Sequence, residues 1–219
     1  MLIGISGMIS SGKSTLTKNL VKHYQDNCLY LNEYEENDEV FNTFLKWLYS
    51  GKKNISLGFQ CFVVENHLNR VDRILEEFHD LKMKKNSDFI FLDRFSLEHY
   101  IFAMINFENA QSRFFNAYQK AFEVAVTKKQ LPNFVLYLDL DFSTFKDRLF
   151  ARGRAVEIKN WDLNEEYFKV LHQAYQDHFI NLCQKYKIDY AIIDTNNLNA
   201  REVTKEAIRI LEEYKLSSK

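Results

Sequence analysis

Six glycines and one proline serve all 219 residues, and Gly4, Gly7 and Gly12 fall within the first twelve. The stretch Gly7-Met-Ile-Ser-Ser-Gly12-Lys13-Ser14 fits the pattern G-x-x-x-x-G-K-[ST]. It follows an apolar run, Leu2–Ser6, and opens a helical pattern over Lys13–Gln25. In that context glycines let the backbone turn so that successive N–H groups point inward around phosphate oxygens. A helix N-terminus adds about half a positive charge at the same place. Gly7, Ser10, Ser11, Gly12 and Thr15 are therefore expected to cradle phosphates. Lys13 is expected to reach the β- and γ-phosphates, and the Ser14 hydroxyl to hold Mg²⁺. A nucleoside triphosphate such as ATP, with Mg²⁺, is the expected ligand.

The rest of the chain alternates short apolar runs with helical periodicity. Strands are expected at Cys28–Asn32, Phe89–Asp93, Asn133–Asp139 and Tyr190–Asp194. Helices are expected at Val40–Tyr49, Leu57–Lys84, 95–106, 110–128, 143–152, 162–186 and 199–215. In Leu57–Lys84, Val64, Leu68, Val71, Leu75, Phe78 and Leu81 recur every three or four residues. The strands are almost continuously apolar, as suits a parallel sheet covered on both faces. The expectation is a single α/β domain over 1–219, with a five-stranded parallel sheet flanked by helices. Ligands of such sheets bind beyond the carboxyl ends of the strands.

Composition narrows the partners. Twenty-nine basic and 30 acidic residues leave a net charge of -1, which argues against a broad nucleic-acid or membrane footprint. Cys28, Cys61 and Cys183 are far apart and form no CxxC pair, so a zinc ribbon or disulfide framework is not expected, and a reducing cytoplasm is. The first residues lack the basic lead and apolar core of a signal peptide. No apolar run reaches the roughly 18 residues of a membrane helix.

Strand ends carry the remaining candidates. The second ends at Asn32-Glu33 and the third at Asp93-Arg94, so Glu33, Asp93 and Arg94 are expected to share one rim with the cradle. A carboxylate there can accept a proton from an attacking hydroxyl or hold Mg²⁺, and an arginine can clamp the acceptor or a transferring phosphoryl group. Arg148, Arg152 and Arg154, with Glu157, form R-x-x-x-R-x-R-x-x-E around Gly153. Three arginines near a hinge suit a lid, about 148–160, that closes over a triphosphate. Gln60 and His67, seven apart, share a helix face with Val63 and Val64 that could read a flat heterocycle.

These features, in this order, resemble the deoxynucleoside kinase family, especially its bacterial deoxyadenosine/deoxyguanosine kinase branch. The resemblance rests on the cradle, Glu33, Phe59-Gln60, Asp93-Arg94-x-Ser96 and the Arg148/Arg152/Arg154/Glu157 cluster, and spans nearly the whole chain. It implies transfer of the γ-phosphoryl of ATP to the 5′-hydroxyl of a 2′-deoxynucleoside, with purines preferred. It casts Glu33 as base, Asp93 at the Mg²⁺, Arg94 at the acceptor hydroxyl and Gln60 on the nucleobase. Tyr49 and Glu157 would pair and bind the sugar 3′-hydroxyl, and the protein would be a homodimer. The chain departs from the family in having Tyr34 where proline is common, and Phe95 where Ser or Thr is usual. His67 and His99 replace an Arg/Asp pair, which leaves the preferred base open. A thymidylate kinase is the nearest alternative, although Glu33 would repel its acceptor phosphate. A nucleotide-dependent switch is a more distant one.

Overall fold

Every strand residue sits on one of two faces, and both faces are covered. The computed structural model describes residues 1–33, 38–107 and 111–217. Five parallel strands, β1 (Leu2–Gly7), β2 (Cys28–Leu31), β3 (Phe89–Asp93), β4 (Phe134–Asp139) and β5 (Asp189–Asp194), pair in the order β2-β3-β1-β4-β5. Ile3, Ile5, Phe89, Phe91, Leu136 and Leu138 point to one face, against Leu16 and Leu20 of α1 (Lys13–Tyr24) and Val203 and Leu211 of α9 (Ala200–Ser217). Leu2, Ile90, Leu92, Val135 and Tyr137 point to the other. There they meet α3 (Ser56–Asp80), α4 (Ser96–Phe107), α5 (Ser112–Ala125) and α8 (Trp161–Tyr186). The period of two in the strands and the apolar stripes of the helices produce these two cores.

The remaining helices are α2 (Glu39–Tyr49), α6 (Phe142–Arg152) and the five-residue α7 (Ala155–Lys159), with 3₁₀ turns at Gln25–Asn27 and Lys128–Gln130. Most expected elements lie within a residue or two of their positions. The long helix is the main exception, ending at Asp80 rather than Lys84. Its apolar spacing continues to Leu81, but Leu81 is exposed and Lys82 takes φ +54°, closing the helix with Lys82 N–H on the His79 carbonyl. The expected start of the 110–128 helix lies partly outside the described residues, as does Tyr34. That helix gives way after Ala125 to a 3₁₀ turn capped reciprocally by Thr127 and Gln130.

Chain order places the site. From β1 the chain crosses to β2, returns to β3 between them, then passes to β4 on the far side of β1. The switch in direction opens a crevice above the carboxyl ends of β1 and β3.

Candidate active site

The cradle follows β1 directly. Gly7 has φ +138°, and a Cβ there would lie 2.5 Å from the Leu138 carbonyl oxygen and 2.7 Å from Ser11 Oγ. Gly12 has φ +102°, so both positions need glycine. Lys13 Nζ donates to the carbonyls of Gly7 (3.0 Å) and Met8 (2.9 Å). Burial and the nearby Arg94 lower its pKa to about 8, against the pull of Glu33, Glu98 and Asp93. The Ser10 and Ser11 hydroxyls are buried and have no partner among the described residues.

The cradle floors a cavity of about 720 Å³. Ser10 to Thr15, Glu33, Tyr49, Gln60, Arg94, His99, Arg148, Arg152, Arg154 and Glu157 all line it. Residues far apart in sequence thus meet in one cleft. Gly7, Asp93 and His67 are not among the residues that line it.

Asp93 ends β3 beside β1, paired in register with Ile5. It is buried, and its Oδ1 has no partner among the described residues. Burial and the Glu33 carboxylate raise its pKa to about 6, while Lys13, a hydrogen bond with Ser14 and Arg94 oppose the shift. A buried carboxylate oxygen without a donor, next to a serine hydroxyl at a phosphate cradle, is a donor set that fits Mg²⁺.

Arg94 follows with φ +76° and only 2% of its side chain exposed. Its Nε donates to Glu33 Oε1 at 2.7 Å. Its Nη1 donates to Glu98 Oε1 (2.9 Å) and the Tyr175 hydroxyl (2.6 Å). Glu33 keeps 30% of its side chain exposed. Burial pushes its carboxyl up, but Arg94, Lys13 and Arg154 together hold it below the ordinary value. Oε2 of Glu33 carries no hydrogen bond among the described residues.

The arginine cluster straddles α6 and α7. Arg148 donates to the Thr195 carbonyl at 2.6 Å and hydroxyl at 2.9 Å, which ties it to the end of β5. Glu157 is 1% exposed and accepts from Arg152 Nη2 (2.5 Å) and Arg154 Nη1 (3.3 Å). Tyr49 and Glu157, the expected pair, are close enough to interact electrostatically, but no hydrogen bond joins them among the described residues. The two share the cleft wall, but two guanidiniums within five residues of Glu157 out-compete a phenol for it.

At the far end, Gln60 is buried, lines the cleft and makes no side-chain hydrogen bond among the described residues. His67 and His99 pack edge to face with ring centroids 4.9 Å apart. Both ring nitrogens of His67 and Nε2 of His99 are buried without partners among the described residues. Burial, then Arg70 and Arg94, bring His67 down to about 3, with Glu33 in opposition. Burial, His67 and Arg94 put His99 well below its usual value. His99 lines the cleft, whereas His67 packs against His99 and is not among the lining residues.

Sequence patterns missed several lining residues. Phe102, Asn106 and Tyr167 wall the cleft beside Arg94, with Asn106 Nδ2 on the Tyr167 hydroxyl at 3.4 Å. Thr195 and Asn199 line the cleft as well. Glu98, four residues after Arg94, had the spacing of a helical ion pair as its signal.

A phosphate cradle and an Asp-Arg rim at the switch point of a five-stranded parallel sheet define a P-loop phosphotransferase. The family model for deoxynucleoside kinase matches residues 3–215. The chain belongs to the deoxynucleoside kinase family and is an enzyme that phosphorylates deoxynucleosides. An uncharacterized protein of Mycoplasma genitalium is 31% identical over 88% of this chain and 82% of its own length. An uncharacterized homolog in Mycoplasma pneumoniae is 27% identical over 97% and 90%. Among solved structures, deoxyadenosine kinase from M. mycoides with bound dCTP superposes with a TM-score of 0.74 at 22% identity, over 97% of this chain and 100% of that one. The same enzyme with bound dATP gives 0.74 at 23% identity, over 97% and 99%.

Proposed function

We propose that this enzyme transfers the γ-phosphoryl of ATP to the 5′-hydroxyl of a 2′-deoxynucleoside, with Glu33 as proton acceptor and purines preferred. The observation that carries this reading is the Glu33 carboxylate. It is held through one oxygen by Arg94, its second oxygen is unoccupied among the described residues, and it shares a cleft with Lys13.

Acceptor and donor enter from opposite ends. The cradle N–H groups and Lys13 bind the phosphates, so Lys13 leaves the Gly7 and Met8 carbonyls when they arrive. Ser14 and Asp93 would hold Mg²⁺, which would neutralise charge on the phosphoryl oxygens. Arg148, Arg152 and Arg154 act as a lid over the triphosphate, and Arg94, Arg152 and Arg154 stabilise the transferring group. Gln60 binds the base edge, with His99 beside it and His67 in support. Tyr49 and Glu157 hold the sugar. The transition state is loose, so positioning and charge stabilisation dominate, and Glu33 takes the hydroxyl proton late.

The three cysteines are free, and no described helix is long and apolar enough to cross a membrane. The free cysteines fit a reducing cytoplasm, and the homodimer is proposed on the family resemblance alone.

Purified protein with Mg-ATP and each of the four deoxynucleosides, or dTMP, tests the reading. The expected product is a deoxynucleoside monophosphate, with purine acceptors favoured. Phosphorylation of dTMP but of no deoxynucleoside would overturn it, because the uncompensated side of Glu33 would then face an acceptor phosphate.

A further inference from the structure

Glu98 occupies the third position of α4 and accepts from the backbone N–H of Phe95, just before the helix, at 3.1 Å. A glutamate there is ordinarily half of a helix cap. Caps sit at the surface, yet Glu98 has 0% exposure. Its other oxygen, Oε1, accepts from Arg94 Nη1 (2.9 Å), the Tyr175 hydroxyl (2.7 Å) and the Gly7 N–H (3.4 Å). One buried carboxylate thus joins the first glycine of the cradle, the rim arginine and the middle of α8.

We propose that Glu98, with Tyr175, is a positioning residue of phosphotransfer: it fixes the plane of the Arg94 guanidinium from behind, so that Nε meets one oxygen of Glu33 and Nη2 stays available to the reacting groups. A guanidinium is a rigid planar fork, so holding Nη1 sets where Nε and Nη2 aim. Arg94 needs such a hold because its backbone is in the left-handed region, which is unfavourable for a non-glycine residue. The Phe102 ring, with its centroid 4.9 Å from the guanidinium carbon, adds a further wall. With Nη1 secured, the Arg94–Glu33 contact is a single bond, and neither Arg94 Nη2 nor Glu33 Oε2 is used among the described residues. Without the Glu98 carboxylate, the buried guanidinium would have Glu33 as its one remaining carboxylate partner among those described. It would turn to engage both Glu33 oxygens, the usual bidentate arrangement.

This inference rests on Glu33 being the proton acceptor, and the experiment separates the two. Glu98→Gln keeps the size of the side chain and removes its charge. The expected result is a kcat lower by about tenfold, the scale of a small misplacement of reacting groups, with KM for deoxynucleoside and ATP little changed. Tyr175→Phe should lower kcat by about threefold, the worth of one hydrogen bond. Glu98→Asp should restore part of the loss. Both effects should be clearly smaller in a Glu33→Gln background, because Glu98 acts through Arg94 on Glu33 as well as on the donor Nη2. A purely structural Glu98 would lower the melting temperature and the active fraction, and its effect would multiply unchanged with that of Glu33→Gln. That additive outcome, or a kcat within about twofold of the parent, overturns the proposal. If Glu98→Gln does not fold, Tyr175→Phe alone and in the Glu33→Gln background separates the same two outcomes. A Glu33→Gln enzyme with full kcat would instead remove the base assignment itself.

Discussion

On the proposed function, the two ends of the acceptor side are built on opposite principles. At the reaction end, Arg94 is committed to Glu33, Glu98 and Tyr175 before any ligand arrives. At the base end, Gln60, His67 and His99 are buried, uncharged and largely without partners among the described residues. Buried unpaired polar groups cost stability, of order 1–3 kcal/mol each. Their persistence beside a cleft fits a surface completed by the nucleobase, whereas the reaction end is completed by the protein. On the proposed function, chemistry is preorganised in this molecule and base recognition is left for the ligand to finish.

That contrast can be broken most sharply at the reaction end. Glu33→Gln should lower kcat by about 10²-fold or more while ATP affinity persists, because general-base help has that scale. Steady-state rates beside equilibrium ATP binding decide it, and an unchanged kcat would take Glu33 out of the role. Next in size is the cation. Burial and Glu33 push Asp93 up to about 6, so at the proposed Mg²⁺ site a proton would compete with the cation below that pH. The carboxylate is present above about pH 6 and lost as pH falls. Mg²⁺ affinity, measured calorimetrically with nucleotide present, should therefore weaken by roughly tenfold per unit below about pH 6. A pH dependence that survives Asp93→Asn would belong to the nucleotide instead.

The base end should respond more mildly. Gln60→Leu should reduce kcat/KM for the deoxynucleoside by about tenfold, the worth of one or two hydrogen bonds, and leave KM for ATP alone. A matching loss in ATP binding would show that Gln60 holds the cleft together rather than reading the base. The smallest expected effect is none. His67 sits near 3 and His99 well below its usual value, so both are neutral across the physiological range. The deoxynucleoside KM should show no inflection between about pH 6 and 8 that His99→Asn removes. Such an inflection would mean that the pair carries charge, and the contrast between the two ends would fail.

The cradle could be found in the sequence because a phosphate-binding turn needs glycine at two nearby positions followed by lysine, and that chemistry is local. The helix ends were harder. Leu81 continues the apolar spacing of α3 although it is exposed, so periodicity overran the point where Lys82 turns the chain. The short α7 has five residues, too few to show a period. Glu157 was recognisable as a candidate, but not its partners, since several groups compete for one carboxylate and only distance settles which of them bind it.

From the residues alone came the order of strands and helices, the parallel sheet, the cradle and the set of rim candidates. These follow from apolar periodicity and from the steric demands of single residues, both of which act over a few positions of chain. The fold alone decided that Glu98 and Tyr175, 77 positions apart, would share Arg94, and that His67 would pack against His99 rather than line the cleft. Those outcomes depend on how α4 and α8 pack over the sheet. A side chain's partners there are set by three-dimensional distance, which spacing along the chain does not encode.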